Sequence, residues 1–165
     1  MPGNSLISCK LLLDARRRVL GEEHPNTLTS MSNLAQNLLA QGDLPGARKI
    51  QEQVLDVIRR VLGEEHPNTL TSMNNLAGTL WFQGDLAGAR KLLEQVLKVR
   101  RRVLGEEHPA TVNSAWNLYR TLSDLKDEEA AKQVSTAYLL PLLNRNPATL
   151  PADLRKIQSM LQRMG

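Results

Sequence analysis

Apolar residues recur three and four positions apart along almost the whole chain. Between Asn26 and Ala40 they fall at Leu28, Met31, Leu34, Ala35 and Leu38. That spacing puts one stripe on one side of an α-helix. Between Pro45 and Leu62 they fall at Ala47, Ile50, Val54, Ile58 and Val61, a second stripe. The strict alternation that marks a half-buried strand is almost nowhere seen. The pattern predicts an all-α protein of paired helices.

The breaks between stripes are as regular as the stripes. Gly42 in "QGDL" suits the left-handed residue that ends a helix, and Asp43 suits the cap of the next. Pro45 is tolerated in a first turn. The other break is "GEEHP", which stands at Gly21, Gly63 and Gly105. It opens on a helix-stopping Gly and closes on a Pro at the next helix entrance. The Glu pair lies near that helix's positive N-terminus, and Arg59 and Arg60 lie in the last turn before it, where a cation is favoured. The string therefore reads as a joint. A metal or acid–base site built on Glu22, Glu23 and His24 is the sharper alternative. Consecutive residues converge poorly on one ion, and copies a repeat apart lie too far apart to share it.

The period is 42 residues. Arg17–Ile58 and Arg59–Arg100 agree at 32 of 42 positions, which reads as duplication of one helix-pair unit. The predicted order is an orphan second helix over 4–20, repeats over 21–62 and 63–104, a degenerate repeat over 105–147 and a C-terminal capping helix over 148–165, all in one domain. The degenerate repeat keeps a second helix that Pro141 stops or kinks. The cap should turn Leu154, Ile157, Met160, Leu161 and Met164 inward. The orphan helix would expose an apolar face, as a fragment or a decayed copy would, and so invite self-association through the incomplete N-terminal repeat.

Residues Arg17–Tyr138 resemble tetratricopeptide repeats. The resemblance rests on "GEEHPNTLTSMNNLA" (Gly63–Ala77), on "QGDLAGARKLLEQVL" (Gln83–Leu97) and on their copies. It is to the 42-residue class found in kinesin light chains and in the repeat regions of NB-ARC and NACHT signalling proteins. The small residue that pairs the helices is kept as Ala47, Ala89 and Ala131. The aromatics of the shorter repeat class are replaced, by Leu38, Leu80 and Leu122 in the first helix and by Gln51, Leu93 and Ser135 in the second. The resemblance implies an α-α superhelix, a solenoid of antiparallel helix pairs, with a concave face that binds a protein or an extended peptide.

Composition narrows the chemistry. Aromatics are 3% of the chain, so the core is mostly aliphatic. The net charge of +4 is mild, and the Arg clusters Arg16–Arg18, Arg59–Arg60 and Arg100–Arg102 sit beside Glu pairs with no interleaved aromatics. A weak nucleic-acid or acidic-surface binder using that edge is the alternative from another class. Cys9 has no partner for an internal disulfide and reads as a packing residue. No run of about 18 apolar residues is present, and no secretory start is seen, so a cytoplasmic protein without a membrane segment is expected. No nucleophile–base pair, phosphate loop or metal-ligand spacing is found. The expectation is a non-enzyme without cofactor, metal or small-molecule substrate.

The residues between the core positions of each first helix are the binding candidates. They are Thr29, Ser32, Asn33 and Gln36; Thr71, Asn74, Asn75, Gly78 and, at the helix end, Trp81 and Phe82; and Asn113, Trp116, Asn117 and Arg120. Asn33, Asn75 and Asn117 recur at one position. A carboxamide both donates and accepts, so it suits a peptide backbone. The resemblance implies such contacts, because asparagines here touch peptides in similar repeat proteins. Bonds to neighbouring helices are the plain alternative. Chaperone-tail binding calls for several Lys and Arg on this face, where Arg120 stands alone. A sensor or scaffold piece of a larger signalling ATPase is the rival reading within binding.

Overall fold

The computed structural model describes residues 2–164, with side chains over residues 7–163. Among the described residues there are helices and turns and no strand. They run α1 (Pro2–Leu20), α2 (Pro25–Ala40), α3 (Leu44–Leu62), α4 (Pro67–Phe82), α5 (Leu86–Leu104), α6 (Pro109–Asp124), α7 (Glu128–Val134), α8 (Leu140–Leu143) and α9 (Ala152–Met164). The chain forms two compact units, 1–83 and 84–165. The division falls between α4 and α5, inside the second 42-residue copy.

In the first unit α1 packs on α2, α2 on α3, and α3 on α4. Its core gathers Leu13, Met31, Leu34, Leu38, Ala47, Val54 and Ile58, with Cys9 and Ile50 packed against them. Ala47 is fully buried, and a side chain this small lets neighbouring helices approach closely. Burial differs from the predicted stripe at three positions. Val61 is exposed, and Gln51 and Leu55 are buried. Gln51 and Leu55 lie beside Val54 and Ile58 around the helix, so the buried face of α3 is wider than the predicted stripe, and Val61 is exposed because α3 ends there. The core leucines at matching positions, Leu34, Leu76 and Leu118, are all buried.

In the second unit α5 packs on α6, and α6 on α7 and α9. Pro141 leaves the helix unbroken. The chain passes through a π-helical turn at Ser135–Leu139 and continues as α8. Pro141 lacks an N–H and its ring crowds the carbonyl four residues back, so the backbone widens there. Tyr138, Leu139 and Leu142 stay buried across the turn. The inner face of α9 presents Leu154, Ile157, Gln158 and Leu161. Gln158 Nε2 donates to the carbonyls of Leu142 and Arg145, 2.9 and 2.8 Å away, and so ties α9 to the end of α8. Met160, expected to face inward, is exposed. The Met164 side chain lies outside the described residues.

The turns carry the capping chemistry. Gly42 has φ +80°, and the N–H of Asp43 reaches back to the Leu38 carbonyl at 2.9 Å, a left-handed helix stop. At the matching place in the third copy stands Lys126, at φ +62°, with the same bond from Asp127 N–H to Leu122 O at 3.0 Å. Asp43, Asp85 and Asp127 each accept the N–H three residues on, at 2.9, 2.9 and 3.2 Å.

Candidate functional site

The "GEEHP" joints come first, because their chemistry decides whether they are sites. His24, His66 and His108 are the N-caps of α2, α4 and α6, and each Nδ1 accepts the backbone N–H two residues on, at 3.1 Å. The imidazole thus does the work of a capping Ser or Asp. Pro25, Pro67 and Pro109 occupy the first turn behind it. Gly63 sits at φ 88°, ψ 167°, a region essentially restricted to glycine. Its carbonyl accepts Thr69 Oγ1–H at 2.7 Å, which locks the joint onto α4. Glu22 pairs with Arg17 at 3.5 Å, Glu64 with Arg59 at 3.2 Å, and Glu23 with Arg60 at 2.6 Å. Among the described residues no three His, Cys, Asp or Glu side chains are placed to share an ion.

A groove of about 580 Å³ opens in the first unit, between the N-terminal halves of α2 and α4. Its floor is Leu28, Ile58, Val61 and Leu62, and its walls are Thr29, Ser32, Thr71 and Asn75. Val61 and Leu62 are the end of α3, exposed because the joint turns away there. That volume and mixture, apolar below and polar at the rim, are those of a ligand pocket. Of the predicted residues, Thr29, Ser32, Thr71 and Asn75 line the groove. Asn33 and Gln36 are exposed, and Asn74 half-buried, on the same two helices outside its lining. Half-buried Trp81 closes α4, its ring edge-on to Phe82 at 5.0 Å. Phe82 itself is 66% exposed.

On the second unit, Asn117 is half-buried and Arg120 exposed along α6. Trp116 is half-buried and stacks on Tyr119 at 5.8 Å. The Asn113 side-chain amide donates to the Asp153 carboxylate of α9, so α9 engages this end of the helix. A smaller cavity of about 200 Å³ lies beside the π turn, among Glu106, Glu107, Tyr138 and Arg145.

Arg16, Arg17, Arg59, Arg60 and Arg100 of the arginine clusters are engaged. Besides the three ion pairs, Arg16 Nη1 donates to Asn26 O at 3.0 Å and to Ser30 Oγ at 2.7 Å. Arg100 Nη1 makes the same two bonds, to Ala110 O at 3.0 Å and Ser114 Oγ at 2.7 Å. Burial pushes the Arg100 guanidinium below its ordinary pKa. These side chains bridge a second helix to the following first helix.

Paired helices of this geometry define the class of α-helical repeat proteins. The tetratricopeptide repeat model matches residues 4–57, 32–101 and 74–138, and the chain belongs to that family. A crystal structure of a Podosopora anserina protein assigned to the kinesin light chains, with nearly identical TPR-like repeats, is 27% identical, with a TM-score of 0.70 over 98% of this chain and 70% of that one. The crystal structure of BtubC (BKLC) from P. vanneervenii has a TM-score of 0.73 at 18% identity, over 95% of this chain and 56% of that one. No curated protein sequence matches the chain. The fold is that of a kinesin-light-chain-like repeat protein, a protein-interaction scaffold in general. No described helix is long and apolar enough to cross a membrane.

Proposed function

We propose that the chain is a cytoplasmic interaction module that holds an extended peptide of a partner protein, and that it carries out no catalysis. The observation that carries this is the groove between α2 and α4, with Asn75 on its wall. Its polar atoms sit on two rigid helices, so little order has to be created on binding. Asn33 and Gln36 extend the polar surface along α2, and Asn74 and Trp81 along α4. Asn117, Trp116 and Arg120 offer the same chemistry on α6, while Asn113 serves α9. The nucleic-acid alternative is weakened by the arginine ends, which face Glu side chains and backbone carbonyls.

The test is an array of short extended peptides probed with wild type and Asn75→Ala. The expected result is a loss of about tenfold, or ~1.4 kcal/mol, across unrelated peptides, because the amide would read backbone. Equal binding by both proteins removes the asparagine role, and no binding by wild type removes the reading. Self-association through α1 is a second element. Leu12 is 48% exposed where Val54 and Val96 are buried in later copies. Light scattering that shows a monomer at high concentration removes it.

A further inference from the structure

Arg16, Ile58 and Arg100 occupy one position, each 42 residues from the next. In two of the three copies the side chain is a bridge. Arg16 and Arg100 each cross to the next first helix and donate to a backbone carbonyl at 3.0 Å and a serine hydroxyl at 2.7 Å. The corresponding acceptors in the middle copy are Asn68 O and Ser72 Oγ. Position 58 offers them a branched hydrocarbon with nothing to donate. Ile58, Asn68 and Ser72 all line the groove of the first unit. The place a guanidinium fills elsewhere is here part of an open cavity.

We infer that this cavity takes an arginine side chain presented by the partner peptide. The inference rests on the peptide-groove reading for its partner and names that partner's chemistry. The protein itself displays the fit, since Arg16 and Arg100 show what this joint accepts. An incoming arginine would lay its methylene stem over Leu28, Ile58 and Val61 and carry its head to the two acceptors. The lining agrees. No Lys or Arg lines the groove among the described residues, and its acidic side chain, Glu23, is already paired with Arg60 at 2.6 Å. Selection therefore rests on the two acceptors, which an apolar anchor would cover without offering a donor.

The experiment is an NMR titration of the full chain with N-acetylarginine amide, with N-acetylleucine amide as control. The arginine derivative is expected to shift the Asn68, Ser72 and Ile58 amides saturably, with the leucine derivative about tenfold weaker or more. Ile58→Arg supplies the guanidinium in cis and should abolish those shifts. Should that variant fail to fold, Ser72→Ala removes one acceptor without filling the space and should weaken binding about fivefold. Shifts elsewhere, equal response to both compounds, or undiminished binding by either folded variant overturns the inference. Because the probe is a single residue, these outcomes stand apart from the peptide array, whose failure would remove the peptide reading instead.

Discussion

Gln51 is 7% exposed, and neither its side-chain oxygen nor its nitrogen has a hydrogen-bond partner. The next copy places Leu93 there, 2% exposed. Both positions lie inside 19-residue α-helices, so Gln51→Leu should fit without backbone strain. Burying an unpartnered amide costs about 1–3 kcal/mol on mutational scales. Leucine removes that cost and keeps a side chain of similar volume. The expected gain is therefore about 1–3 kcal/mol, or about 2–10 °C in melting temperature for a chain of this length. Urea unfolding followed by circular dichroism checks it, with a higher midpoint and an unchanged slope expected. The reciprocal Leu93→Gln should lose about 1–3 kcal/mol for the same reason. An unchanged or lowered midpoint for Gln51→Leu would refute the reasoning, since it would mean that the amide is satisfied in solution.

Gly63→Ala tests the joint. No atom would lie within 4 Å of the added methyl, so the whole effect is conformational, and a loss of about 1–3 kcal/mol in urea unfolding is expected. Lys126→Gly works in the other direction. It relieves a left-handed residue at a helix stop and should raise the unfolding midpoint by about 0.5–1 kcal/mol. The Asp127 carboxyl is held below the usual carboxylate range, first by the Ala130 N–H and then by Arg90. Its contribution is therefore present above the unfolded value near 3.9 and is lost as pH falls through the lower folded value. Asp127→Asn should flatten the fall of the urea midpoint over that acid range.

The helices were legible because the punctuation repeats. Gly63, His66 and Pro67 mark one boundary, and Gly42 and Asp43 the other, each with a local backbone reason. The stripe of α2 was legible for Met31, Leu34, Ala35 and Leu38. Gln51 was harder to place. A polar letter reads as surface, and its burial is set by packing around it in the first unit. Pro141 reads as a break because sequence shows the missing N–H, while the neighbouring π turn that absorbs it is a tertiary accommodation. The groove was half legible. Asn75 followed from its register between core positions, but the floor of Val61 and Leu62 belongs to the joint, where an apolar pair looks like the tail of a stripe. The signal for Ile58 lay in the alternation Arg16, Ile58, Arg100, and its meaning needed the bonds those arginines make.

The most direct measurement is a residue-by-residue NMR footprint of a peptide selected on the array, bound to the full chain. Shifts confined to Thr29, Ser32, Thr71, Asn75 and the floor around Ile58, with the His108 joint silent, are the predicted result. A footprint on the arginine ends of α1 and α5, or on the outer surfaces of α3 and α5, would contradict it.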